Sequence, residues 1–379
     1  MRIGSALVGV LLAVTSCVGV GTAQAADVCT VYMAPTGSDG ASGLTPAAAV
    51  RSLVRVQEVL RDAKPATDVE VRIEQGTYVA PPMQDWRFYV PGHTISFLPI
   101  DYEYGEGEDG IAGRPVFRNL AGKPAGFWLQ PRLPKDPADP RYDGGDSGLR
   151  FYYLQVEHYS SGAVSVFGDS ERDITDENHD PPMRRRGSKG LNGNTFFGMV
   201  FTQLGSKWAP CGATCYGWGA IVLTNSSNNK IANNHFVNVE NHGNYGGHIH
   251  GLYVTHFSSG NTMNANRFSF INGDPVKIRD RSNFNTVESN TFTRTGRAGF
   301  YRDEFCDLAC VKEHPEVGSR QCASYHNRFA NNRLISDYDG DNSSEAWTLQ
   351  PPGLTNAGGA PCAIPAGDQR LRTAGNTTS

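Results

Sequence analysis

The sequence predicts an all-β solenoid of parallel coils, and two observations predict it. A short pattern, Asn-x-apolar-x-x-Asn-x-Phe/Leu, returns four times: Asn229/Ile231/Asn234/Phe236, Asn261/Met263/Asn266/Phe268, Asn285/Val287/Asn290/Phe292 and Asn327/Phe329/Asn332/Leu334. Repetition with a period of roughly 20 to 50 residues marks a solenoid. Within each unit the apolar residues alternate in short runs, as in strands, and form no long stripe of helical period. Asparagines at fixed coil positions read as ladders between neighbouring turns, and His235 and His256, at coil corners, read as structural.

Residues 1–25 carry Arg2, an apolar run over 6–14 and the small residues Ala23-Gln24-Ala25, which together read as a secretory signal peptide. A competing reading is a lipoprotein signal, with Cys17 following Val14-Thr15-Ser16. No later run approaches the roughly 18 apolar residues of a spanning helix, so the chain is expected to be exported and monomeric, with no membrane span. Export permits disulfides. Of the cysteines after residue 25, Cys211 and Cys215 are close in sequence, as are Cys306 and Cys310. Cys322 lies nearby, and Cys29 and Cys362 stand near the two ends. Their spacing suits loop staples better than zinc, and the odd count leaves one cysteine over. A net charge of −4 gives no reason to expect nucleic acid as a partner.

The β-helix domain is expected over 26–336. A strand at 31–35 and a Thr36-Gly37-Ser38-Asp39-Gly40 turn precede Thr45-Pro46, a good helix start. Val50, Leu53, Val54, Val56, Val59 and Leu60 then lie along one face of a helix near 46–63. Such a helix would cover the terminal coil, whose edge and core would otherwise meet water. Strands follow at 69–73, 77–79, 94–97 and 115–117, with further coils at 149–156 and 194–201. A Pro/Asp/Gly-rich loop separates them over 122–148. A second loop, 169–190, carries an acidic run at 171–180 and then Arg184-Arg185-Arg186. Residues 337–379 read as a Pro/Gly-rich tail.

The opening Val31-Tyr32-Met33-Ala34-Pro35-Thr36-Gly37-Ser38-Asp39-Gly40, with the helix and Gly-Thr-Tyr strand that follow, resembles the start of secreted proteins of the pectate-lyase-like superfamily. The resemblance implies a single-stranded right-handed parallel β-helix with an N-terminal capping helix over most of the chain. It implies no particular substrate.

Each coil has a further strand beyond the repeated pattern. Stacked by distance from the asparagines, Val164/Val166, Ile221/Leu223, Leu252/Val254, Val276/Ile278 and Gly299/Tyr301 fall in register and point inward. Alternation then turns Tyr253, Lys277, Arg279, Phe300 and Arg302 outward. Coils stack about 4.8 Å apart, so Arg302 is expected beside Arg279, and Tyr253 beside Lys277. His248 and His250, flanking Ile249, are expected on the same side. Asp280 and Asp303, at strand ends, could offset the cations, whose like charges would otherwise repel.

This constellation fits β-elimination on an anionic polysaccharide containing uronic acid. Cations neutralise the carboxylate and the developing negative charge, a base takes the adjacent proton, and an acid serves the leaving oxygen. Lys277, with its charged form disfavoured among arginines, fits the base, Arg279 and Arg302 the neutralisers, and Tyr253 or His250 the acid. His250 fits the base equally, with Lys277 holding substrate. His248, Arg281 and Asp303 complete the expected substrate contacts.

The corner Asp280-Arg281-Ser282, followed by Asn285-Thr286-Val287, resembles the alginate lyase and chondroitinase B family of β-helix lyases. That family has a Lys in an Asn-Lys-Ser corner and an Arg on the next coil. The resemblance puts Arg281 at the base position and Arg302 at the arginine. No Asn-Glu pattern on the preceding coil matches the calcium site of that family; calcium stays open as a cofactor, including at the acidic loop 171–180. Two alternatives remain. A glycoside hydrolase would draw on Asp274, Asp280, Asp303 and Glu304, with Asp280 expected next to Asp303. A non-catalytic carbohydrate-binding or adhesion solenoid would rely on Tyr253, Phe300 and Phe167.

Overall fold

The computed structural model of the protein describes residues 28–120, 124–168, 190–297, 299–313, 321–341, 345–355, 362 and 369–378. The expected signal peptide, the lipidation alternative at Cys17 and the charged runs within 171–186 lie outside the described residues. No described helix is long and apolar enough to cross a membrane.

Each central coil supplies three strands, because the two halves of the repeated pattern are separate strands. Lys230–Ala232, His235–Val239 and His250–Thr255 form one such coil. Equivalent strands stack in parallel into sheets of ten, nine and eight strands, and a two-stranded sheet pairs Gly145–Asp146 with Leu191–Asn192. The bend between the first two strands of a coil is made by a left-handed residue: Asn233 (φ 56), Ala265 (φ 54), Ser289 (φ 59) or Asn331 (φ 53). A non-glycine residue held there costs on the order of 1–3 kcal/mol, so the bend persists only where neighbouring contacts fix it.

The asparagine that follows each bend supplies those contacts. Asn234 donates its side-chain amide to Asn266 Oδ1 at 2.9 Å, Asn266 to Asn290 at 3.0 Å, Asn290 to Asn332 at 3.1 Å and Asn332 to Asn376 at 3.0 Å. A second ladder joins Asn194, Asn229, Asn261 and Asn285 at 2.8, 2.7 and 2.8 Å. The repeated asparagines are therefore scaffold, and Asn194 and Asn376 extend the ladders beyond the repeated pattern. Beside them Phe201, Phe236, Phe268 and Phe292 stack through the interior with ring centroids 5.1, 4.8 and 4.8 Å apart.

The capping helix runs Leu53–Ala63 and begins later than Thr45-Pro46 suggests. Ser52 caps it by accepting from Arg55 N, while Pro46–Ala48 forms a separate 3-10 turn with no side-chain cap from Thr45. Leu53, Val56, Gln57, Val59 and Leu60 are buried and Val54 is exposed. The helix packs over Cys29–Met33 and Met83–Trp86, closing the first coil. At the other end Trp347–Leu349, Leu371–Ala374 and Thr377–Thr378 add a strand to each large sheet, so coils continue past residue 336. Disulfides join Cys211 to Cys215, Cys306 to Cys310 and Cys322 to Cys362. No described cysteine is free, and Cys29 is disulfide-bonded outside these three pairs, which makes it the one left over among the seven cysteines after residue 25.

Asn266→Ala strips partners from both neighbouring rungs and is expected to lower the unfolding free energy by about 2–3 kcal/mol. The measurement is a fall in urea midpoint at unchanged slope. The same change at the half-buried end rung, Asn376, should cost less.

Candidate active site

Three consecutive strands of the eight-stranded sheet, His250–Thr255, Val276–Arg279 and Tyr301–Glu304, carry most of the expected side chains. Leu252, Val254, Val276 and Ile278 point into the core as expected, with no exposure. Tyr253 pairs with Lys277, also as expected. The third strand differs from the expected register by two residues. Tyr301 pairs with Val276 and Asp303 with Ile278, so Arg302 lies beside Lys277 and Glu304 beside Arg279.

The expected register kept charge out of the interior by placing Gly299 and Tyr301 there. The protein instead buries Asp303 completely and supplies a counter-ion, Arg370, whose Nη2 lies 3.3 Å from Asp303 Oδ1. Asp303 is thus an interior residue, not one of the outer face where substrate contacts are expected. Phe300 is buried in the core and offers no outer platform.

This shift changes the electrostatics. Glu304 pairs with Lys277 Nζ and lies 2.7 Å from Arg302 Nε; Arg302 also comes within 3.6 Å of Asp274. Burial pushes the Glu304 carboxyl up, but Lys277, Arg302 and Arg279 outweigh it and hold it below the ordinary carboxylate range. Lys277 is therefore not crowded by like charge alone, since an anion sits among the cations. The physical reason given for a lysine base fails.

His250 is buried, with Nδ1 2.8 Å from the Asp274 carbonyl oxygen. A carbonyl only accepts, so Nδ1 carries the proton and Nε2 is left as the acceptor. Burial and Lys277 hold the imidazole well below its ordinary pKa, so it is neutral at working pH. The Tyr253 ring lies 5.2 Å from that of His250, and its hydroxyl accepts from Arg279 Nη1 at 3.2 Å. Arg279 Nε donates to Gln321 Oε1 at 2.7 Å.

Other expected residues stand apart from this centre. Arg281 turns at a corner with φ 56, donates to Asp280 at 2.9 Å and lies over the Phe257 ring at 4.4 Å. His248 ends the 3-10 turn Gly243–His248, edge-on to Tyr216 at 5.1 Å. Asp280 is wholly buried; its carboxylate meets His256 Nδ1 at 2.8 Å and accepts from Cys322 N at 3.1 Å. Burial pushes its carboxyl up, yet His256 and Arg281 bring it below its ordinary value. Asp280 at its corner and Asp303 in the interior do not form the expected carboxylate pair.

Along the same face runs a cleft of 390 Å³ whose walls include Phe127, Phe167, Trp218, Tyr253, Arg279 and Gln321. Thr255 Oγ1 and Gln321 Nε2, on residues lining this cleft, are buried with no hydrogen-bond partner. Leaving such an atom unpaired costs about 1–3 kcal/mol. Of this wall, the repeat pointed to Phe167, Tyr253 and Arg279. Phe127, Trp218 and Gln321 lie outside the repeated pattern, whereas Glu304 follows from continuing the outward alternation past Arg302.

Among the described residues no group of three or more His, Cys, Asp or Glu is placed to hold a metal ion. Glu304 is engaged by Lys277 and Arg302, and Asp274 by Arg302.

Residues 145–307 match the family model of a right handed beta helix region. The stacked sheets are thus coils of a right-handed parallel β-helix, and the resemblance to the pectate-lyase-like superfamily holds for the fold. Similar solved structures include an alginate lyase from Paenibacillus sp. str. FPU-7, at 14% identity over 86% of this chain and 92% of that one, with TM-score 0.49. Pectate lyase Pel9A matches at 10% identity over 94% and 78%, with TM-score 0.41. The A-module of the mannuronan C-5 epimerase AlgE4 of Azotobacter vinelandii matches at 11% over 86% and 90%, with TM-score 0.30. Likeness at this level carries no argument about chemistry. No curated protein matches the sequence.

Burial pushes the Asp303 carboxyl up to about 7 from 3.8, against the pull of Arg370. The folded protein therefore holds this proton more tightly than the unfolded chain, so the stability it confers is full below about pH 4 and lost as pH rises towards 7. Asp303→Asn is expected to flatten the fall in thermal midpoint across that window. An unchanged slope would remove Asp303 as its source.

Proposed function

We propose that the protein is a secreted polysaccharide lyase that cleaves an anionic, uronic-acid-containing polysaccharide by β-elimination. The observation that carries this reading is His250, its Nδ1 held by the Asp274 carbonyl and its ring 5.2 Å from that of Tyr253, on the strand next to Lys277, which in turn pairs with Arg302. The disulfides of the described chain support an oxidising, extracellular setting.

Arg302 and Lys277 neutralise the uronate carboxylate, which makes the proton on the adjacent carbon removable. His250 Nε2 takes that proton. The electron pair of the broken C–H bond forms the new carbon–carbon double bond as the glycosidic C–O bond breaks. Tyr253, whose hydroxyl accepts from Arg279, gives its proton to the leaving oxygen. The aromatic cleft holds the neighbouring sugars.

Hydrolysis is the second reading, because Asp274 and Glu304 both lie on Arg302. A glycosidase needs one protonated carboxyl as general acid, and the surrounding cations hold Glu304 ionised. That favours elimination.

Incubation with a panel of uronate polymers should generate the ultraviolet absorbance of an unsaturated product, one water lighter than a hydrolytic product. His250→Ala and Arg302→Ala should each lower kcat/KM by at least about a hundredfold while the far-ultraviolet spectrum stays the same. Full activity in His250→Ala would sink the assignment of the base. Because the His250 proton is held weakly, the acid limb of kcat/KM should fall below the ordinary imidazole range.

A further inference from the structure

A larger cavity, of 680 Å³, opens on the outer face of the ten-stranded sheet, away from His250. Its floor is three stacked strands, Leu149–Tyr152, Thr195–Phe197 and Lys230–Ala232. Arg150, Thr195 and Lys230 form one outward column, and Tyr152, Phe197 and Ala232 the next. The segment after Ile95–Pro99 folds over this floor, with Tyr102 stacked on Tyr152 at 5.7 Å and Tyr104 edge-on to it at 5.6 Å. Tyr104 also meets Tyr102 edge-on at 5.8 Å, yet stays 51% exposed, so this aromatic wall presents ring surface to the cavity. Burial pushes the Tyr104 phenol up to about 12.

Arg150 and Lys230 make no ion pair among the described residues. They stand two strand spacings apart, roughly 10 Å along the stack. One free surface cation is ordinary; two aligned beneath an aromatic wall in a concave site are what an acidic sugar chain requires. Sugar ring faces lie against tyrosines, carboxylates meet the cations, and Asp146 and Glu106, also in the lining, accept from hydroxyls.

We infer that this cavity is a second, non-catalytic glycan site that holds a segment of acidic polysaccharide away from the bond being cut. That its ligand is the polymer cleaved at His250 rests on the lyase reading; the site itself does not. An enzyme gripping its polymer at a second place gains effective concentration at the first.

The test is affinity electrophoresis of the full chain carrying His250→Ala through gels containing each polymer of the uronate panel. Migration should be slowed by at least one polymer, and adding Tyr104→Ala or Lys230→Ala should weaken that retention about tenfold. In the active protein the same two changes should raise KM for the polymer and leave kcat on a short oligosaccharide unchanged. Equal retention with and without both changes, or no retention by any polymer, overturns the inference. If retention depends on Tyr104 but no polymer is cut, the lyase reading falls and the glycan site stands.

Discussion

Everything in this molecule depends on holding parallel strands one sheet spacing apart, about 4.8 Å, through coils of unequal length. The asparagine ladders and phenylalanine stacks do this. Each ladder amide bonds to the coil above and below, and each left-handed residue before it turns the chain at the same place. Loop length can then vary without disturbing the sheets. Side chains on the outer faces inherit that order, so Tyr253, Lys277 and Arg302 line up because the asparagines beneath other faces do.

The scaffold was legible in the sequence because the residues that build it recur. Asn234, Asn266, Asn290 and Asn332 must be asparagine to donate and accept at once, and the phenylalanines that follow fill equal slots. The site was only partly legible. Alternation alone turned Tyr253, Lys277, Arg279 and Arg302 outward, and a register error of two residues preserves that direction. It does not preserve neighbours, and neighbours decide chemistry. The error arose at Asp303, where an acidic side chain occupies an interior slot because Arg370, far along the chain, meets it. No local pattern near Asp303 announces that partner. The aromatic wall was hidden for a related reason, since Phe127 and Trp218 lie outside the repeated pattern and Trp218 leaves 43% of its surface exposed.

Correcting the register altered the division of labour. A column of cations alone would argue for a lysine deprived of its proton. With Glu304 among them, the cations become a partly neutralised cradle, and the unprotonated group is the histidine that a backbone carbonyl orients. The same anion rigidifies the cradle, because Lys277 and Arg302 are both tied to one carboxylate before any ligand arrives.

Arg370 gives the molecule an order of assembly. The strand bearing Arg302 and Glu304 keeps an acidic group in its interior whose counter-charge, Arg370, comes from far later in the chain, and Cys362, bonded to Cys322, fastens that later segment close by. During synthesis the earlier coils can stack and close their ladders while the strand with Asp303 still lacks its counter-charge. The candidate centre is therefore among the last parts of the solenoid to become rigid, and its completion reports that the final coil has docked.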